Sequence, residues 1–255
     1  MRSENLLGYT LTSESASGIA EQVSGYWAAG RRRLWFACLN PHSYVVAEQD
    51  KGFADALRNA HILVPDGAGI VLASRRLHGQ IAERVTGYDV FKATMAMLSN
   101  QDGGGRVFFL GSTEEVLAKI ADRFAKDYPS LQLVGAYSPP FKAEFSDSDN
   151  QAMIDRINEA SPDVLWVGMT APKQEKWLAE TISKLDVGFA GAIGAVFDFY
   201  AGTVARSPEI FQRLGLEWLP RLLREPRRLW RRNFISTPKF LFAVFKARFA
   251  GRYAR

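Results

Sequence analysis

Short apolar runs alternate along this chain with stretches whose apolar residues return every three or four positions, and this alternation limits the fold more than any other feature. Residues 34–39, 61–64, 107–110, 131–136, 164–167 and 187–190 read as short strands, several apolar almost throughout, as in a sheet covered on both faces. Residues 43–59, 89–99, 114–128, 149–160 and 173–185 read as amphipathic helices. Strands alternating with helices predict an α/β fold, a mostly parallel sheet with Rossmann-like layering.

Near residue 200 the pattern changes. Ser207-Pro208, Leu219-Pro220, Glu225-Pro226 and Thr237-Pro238 punctuate an arginine-rich sequence without strand signals, which reads as short helices packed on or hung from the core. We therefore expect an α/β body over residues 1–200 and a helical, basic appendage over 201–255. Charge divides at the same place. Residues 206–255 hold 13 Lys or Arg against 3 acids, a local +10, whereas residues 1–205 hold 19 bases and 24 acids, or −5. A polyanionic partner is expected for the appendage: an anionic membrane face, a pyrophosphate-bearing substrate or nucleic acid. No apolar run reaches the roughly 20 residues of a spanning helix, and the first residues do not read as a secretory signal. The single cysteine rules out an internal disulfide and favours a reducing compartment.

In open α/β sheets ligands bind beyond the carboxyl ends of the strands, so the residues after each strand are the first candidates. These are Cys38-Leu39-Asn40-Pro41-His42, Pro65-Asp66-Gly67-Ala68-Gly69, Gly111-Ser112-Thr113 and Gly168 to Glu175. Asp66, between an apolar strand and a Gly-x-Gly turn, is placed either to take a proton from an alcohol or to cap the helix that follows. Gly111-Ser112-Thr113 reads as a phosphate-holding turn or as a plain strand-to-helix turn, and it lacks the lysine of a P-loop. His42, His61 and His78 have no partners at zinc-ligand spacing. Asp147-Ser148-Asp149 matches a short metal-holding motif, but its place after a polar loop favours helix capping. Gly188, Gly191 and Gly194 make no dinucleotide fingerprint, which disfavours a dehydrogenase.

In the appendage Arg221, Arg224, Arg227, Arg228, Arg231 and Arg232 interleave with Trp218, Leu222, Leu223 and Trp230, a density of forked guanidinium groups suited to phosphate oxygens. Phe242, Phe245 and Phe249 share one face of a helix flanked by Lys239, Lys246, Arg248 and Arg252. Such a helix either lies in a membrane interface or docks its aromatic residues on the core.

Taken together, these stations resemble the WecG/TagA/CpsF family, glycosyltransferase family 26. The likeness runs through Leu39-Asn40-Pro41-His42-Ser43, Pro65 to Gly69, Glu83 to Asp89, Phe109 to Ser112, Pro172-Lys173-Gln174-Glu175, Gly194 to Phe199 and Gly215 to Arg228. It implies an inverting, metal-independent transferase that needs no cofactor and moves a sugar from a nucleotide-sugar donor to a polyprenyl-diphosphate-linked sugar in bacterial surface or exopolysaccharide synthesis. It implies work at the cytoplasmic face of the plasma membrane, as a peripheral protein on an anionic surface, and is compatible with a homo-oligomer. By the same resemblance Asp66 would be the general base, with Asn40, Arg84 and Gln174 positioning the sugars. Gly111, Ser112, Tyr137 and Asp198 would line the nucleotide pocket, and Arg221, Arg224, Arg228 and Arg231 would meet the lipid diphosphate or membrane. Cys38 departs from the threonine that family members often carry there.

Two other classes compete. A non-catalytic nucleotide-sugar or lipid-phosphate binder would use the same pocket and tail. Nucleic-acid binding through the tail is disfavoured, because the body offers no recognition module and is net acidic.

Overall fold

The computed structural model describes residues 2–101, 103–205, 207–208, 211, 219–220, 222 and 230–250. A hairpin of β1 (Ser3–Leu6) and β2 (Tyr9–Thr12) leads through α1 (Ala16–Ala28) into β3 (Leu34–Leu39), α2 (Pro41–Ala47), α3 (Lys51–Asn59), β4 (Ile62–Pro65), α4 (Ala68–Arg76) and α5 (Gly87–Ser99). Next come β5 (Arg106–Gly111), α6 (Glu114–Asp127), β6 (Gln132–Tyr137), α7 (Asp147–Ala160), β7 (Val164–Gly168), α8 (Lys173–Thr181), β8 (Phe189–Ala192) and α9 (Val196–Ala201). A π-helical turn, Arg231–Ser236, runs into α10 (Thr237–Phe249).

Strands β3 to β8 form a six-stranded sheet in the order β4-β3-β8-β7-β5-β6, and every neighbouring pair is parallel. The α/β expectation and its six strands are met. The helix expected over residues 43–59 is instead two, because Asp50 starts a new one by accepting a hydrogen bond from the Phe53 amide at 3.0 Å.

Alternation along each strand builds two cores. β3 sends Trp35, Ala37 and Leu39 to one face and Leu34 and Phe36 to the other. The first face is covered by side chains of α2, α3, α7, α8 and α10, such as Tyr44, Phe53, Ile157, Trp177 and Phe240. The second is covered from α1, α5, α6 and α9 by residues such as Val23, Phe91, Phe124 and Tyr200. Each large side chain so buried stabilises the fold by about 1.5–3 kcal/mol, and this double cover explains why the strands are apolar throughout.

The last helix is held by few side chains. Phe240 and Val244 are buried in the first core, Phe240 meeting Tyr44 edge-on with ring centroids 5.3 Å apart, and α10 lies against α2 and α4. Its other face remains open, with Phe242, Phe245 and Phe249 exposed at 69, 60 and 72%. The helix docks on the core through Phe240, whereas the three aromatic residues named from the sequence face outward. Among the described residues no helix is long and apolar enough to cross a membrane.

Candidate active site

Because the six strands are parallel, the segments that follow β3, β4, β5, β7 and β8 converge on one edge of the sheet, where they enclose a cleft of about 510 Å³. Asn40, Asp66, Ser112, Gln174 and Asp198 line it, so five of the residues singled out in the sequence come together from separate parts of the chain.

The geometry at Asp66 starts with a helix cap. The Asn40 side-chain oxygen accepts from the amides of His42 and Ser43 at 3.1 and 3.0 Å, while the Asn40 amide donates to Ser43 Oγ at 2.7 Å. This reciprocal cap fixes which end of the Asn40 amide is free, and its Nδ2 stands 3.4 Å from Asp66 Oδ2. The capping alternative for Asp66 is not what the structure contains, since α4 begins on Gly67 without any side-chain cap. Gly67 has φ +94°, and a Cβ at Gly69 would come within 2.6 Å of Pro41 Cγ. The two turns thus interlock only because the second carries glycine, which leaves Asp66 facing the cleft beside Asn40.

After β5, a Cβ at Gly111 would lie 2.6 Å from the Gly168 carbonyl oxygen, and the Ser112 amide donates to that oxygen at 3.0 Å. Thr113 caps α6 through the Val116 amide at 3.3 Å. Gly111 therefore braces β5 against β7 while Ser112 faces the cleft. Tyr137 and Arg84 lie outside the lining, both half-buried, and the Arg156 guanidinium covers the Tyr137 ring at 4.5 Å. Arg231 is exposed on the π-helical turn, whereas its neighbour Arg232 lines the cleft. Arg221, Arg224 and Arg228 fall outside the described residues.

The turn is tied to the body through His42, whose Nδ1 is 2.9 Å from Ser236 Oγ. Burial, and secondarily the charge of Arg232, lowers the pKa of His42 and favours its neutral form. The Asp147-Ser148-Asp149 stretch serves as a cap, as expected. Asp149 accepts from the Ser146 amide at 2.9 Å and pairs with Lys142 at 2.7 Å, and the bonds from Lys142 and Ser146 hold its pKa down at about 2.

Glu175 ends the candidate segment Gly168 to Glu175, but sequence reading assigned it no role of its own. It lies on the buried stripe of α8 with Gln174, Trp177, Leu178 and Thr181, yet it also lines the cleft. A carboxylate in phase with core residues was the signal available. Gln174 Oε1 accepts from the Met169 and Gly194 amides at 3.2 and 3.0 Å, which aims its Nε2 at Glu175 Oε1, 2.9 Å away. Burial raises the Glu175 pKa to about 7 against the smaller opposing effect of the Gln174 bond. Cys38, also in the lining, has its thiol pushed up by burial and then by Asp66 and Glu175, so it stands as an inert neutral group.

The model of the Glycosyl transferase WecG/TagA/CpsF family matches residues 4–254. The chain belongs to this family. As a WecG/TagA/CpsF member it is a glycosyltransferase. A Bacillus subtilis strain 168 protein named N-acetylglucosaminyldiphosphoundecaprenol N-acetyl-beta-D-mannosaminyltransferase is 26% identical over 96% of this chain and 92% of its own length. Proteins of the same name from Bacillus spizizenii strain W23 and Staphylococcus aureus strain MW2 are 32% identical over 81% and 77%, and 26% identical over 96% and 92%, respectively.

Proposed function

We propose that this glycosyltransferase moves an N-acetylmannosamine-type sugar from a UDP-sugar to a polyprenyl-diphosphate-linked N-acetylglucosamine, with inversion and without a metal, in the synthesis of a bacterial surface polymer. The observation that carries the reading is the Asn40–Asp66 pair in a cleft large enough for a sugar, at the edge where parallel sheets bind ligands.

The chemistry follows from charge. Asp66 takes the proton of the acceptor hydroxyl as that oxygen bonds to the anomeric carbon on the face opposite the leaving diphosphate. The bond from the anomeric carbon to the diphosphate oxygen breaks, and its electron pair leaves with the nucleotide. Asn40 orients Asp66, Gln174 and Ser112 hold the sugar and nucleotide, and Asp198 accepts from the nucleoside. Cations must meet the growing negative charge; Arg232, which lines the cleft, is assigned this task together with Arg84 and the tail arginines. Each such contact is commonly worth about 3–4 kcal/mol in a closed site.

The exposed aromatic residues of α10, with Lys239, Lys246 and Arg248 beside them, are assigned to an anionic membrane surface on the cytoplasmic side. Incubating the protein with labelled UDP-N-acetylmannosamine and a soluble lipid-diphosphate N-acetylglucosamine in excess chelator tests the reading. A β-linked disaccharide product is expected. Retention of label without product would leave only a binding protein, and product that vanishes with chelator would overturn metal independence.

A further inference from the structure

Among the described residues that line the cleft, Glu175 carries a buried oxygen whose chemistry is left over. Glu175 is 3% exposed, Oε1 accepts from Gln174, and Oε2 is buried with no hydrogen-bond partner among the described residues. Such an atom costs about 1–3 kcal/mol when nothing meets it, more if it is charged, so the arrangement is a debit to folding. A methionine of similar size would fill the same space without that penalty. The residue nevertheless lines the cleft, together with Cys38, Asp66 and Gln174.

We infer that the free oxygen of Glu175 is a sugar contact: it donates a hydrogen bond to an oxygen substituent of a hexose held in the cleft, and so helps determine which sugar is accepted. This rests on the reading of the cleft as a glycosyl-transfer site. Direction of the bond follows from the neighbours. Gln174 can only donate to Oε1, because its own oxygen is held by two backbone amides. The carboxyl proton therefore belongs on Oε2, and burial keeps it there up to about neutral pH. The titratable and charged groups that line the cleft with it are Cys38 on β3, His42 on α2, Asp66 after β4, Tyr88 on α5, Asp198 on α9 and Arg232 on the π-helical turn, and Asp89 on α5 acts on Cys38 from outside the lining. Two carboxyls of one cleft are thus divided, Asp66 to take a proton and Glu175 to share one.

The test compares full-length wild type, Glu175→Gln and Glu175→Met. Glutamine keeps the shape and a donor, and should hold kcat/KM within about threefold at pH 7. Wild type is expected to lose kcat/KM as pH rises above about 7, and this variant should not. Methionine should lower kcat/KM by about 10- to 100-fold and narrow the preference between sugars, while its thermal midpoint equals or exceeds that of wild type. A merely structural glutamate would lose activity and stability together. Calorimetry with UDP, with the UDP-sugar and with the acceptor analogue, each alone, identifies the sugar concerned: UDP binding stays constant, and one of the other two weakens. Wild-type kinetics and sugar preference in Glu175→Met, or a glutamine variant as impaired as methionine, would overturn the contact alone. Absence of product from wild type itself would remove the transferase reading, and the contact with it.

Discussion

The sheet edge and the C-terminal helix solve opposite problems. At the edge, the proposed chemistry depends on groups that fix one another: Asn40 is locked by its cap, Gln174 by two amides, and Asp66 by a turn that tolerates no side chain at residue 69. In α10 two residues, Phe240 and Val244, are buried, Ala243 and Ala247 are half-buried beside them, and the outer face is exposed and mostly aromatic or cationic. The first region is precise and carries the buried Glu175 beside the half-buried Asp66; the second is aromatic and basic. On the proposed reading, chemistry that needs sub-ångström placement sits where packing is dense, and contact with an extended polyanion is assigned to an exposed face.

The contrast predicts where damage will be greatest. Asp66→Asn should reduce kcat by about 10²- to 10⁴-fold with nucleotide-sugar affinity, measured by calorimetry, near that of wild type. If substantial turnover survives, the edge does not hold the base. Glu175 gives the next largest effect, on stability. Its folded pKa of about 7 lies above the ordinary 4.5, so the folded state binds the extra proton and stability should fall as pH rises from 4.5 to about 7. The change is about 3 kcal/mol at most, and denaturant titrations across that range should show it flattened in Glu175→Gln. Gly69→Val forces a side chain against Pro41 and should cost about 1–3 kcal/mol, with loss of activity exceeding what unfolding explains. On the other side of the comparison, replacing Phe242, Phe245 and Phe249 together with serine should weaken binding to anionic vesicles about tenfold or more. Because these rings are exposed, the thermal midpoint should move little. A large drop in stability would show that the outer face is part of the core after all.

The six strands were legible because burial on both faces leaves continuous apolar runs, and α6 and α7 because their phase is unbroken. The hairpin of β1 and β2 was not, since its four-residue strands are mostly polar and pair only with each other. The break at Asp50 was hidden by apolar residues that continue in helical phase on both sides of it. Within the site, Asn40, Asp66 and Ser112 were legible because they follow strands. Glu175 ends such a segment too, but its role was not legible, because a carboxyl on an apolar stripe looks like an error in the pattern until the cleft beside it is seen. Arg232 was hidden among neighbouring arginines, and only the turn of the backbone distinguishes it from Arg231.

One contact has a wider consequence. Phe240 rests edge-on against Tyr44, and Tyr44 lies in the helix whose first residue is Pro41, directly after Asn40. The last helix is therefore bolted to the same short rod that sets the acid–amide pair. On the membrane reading proposed above, the mouth of the cleft would be held at one height and tilt over whatever plane the outer rings settle on. The helix would then work as a spacer, and a saccharide stem of the wrong length would miss the proposed base even when its chemistry is right.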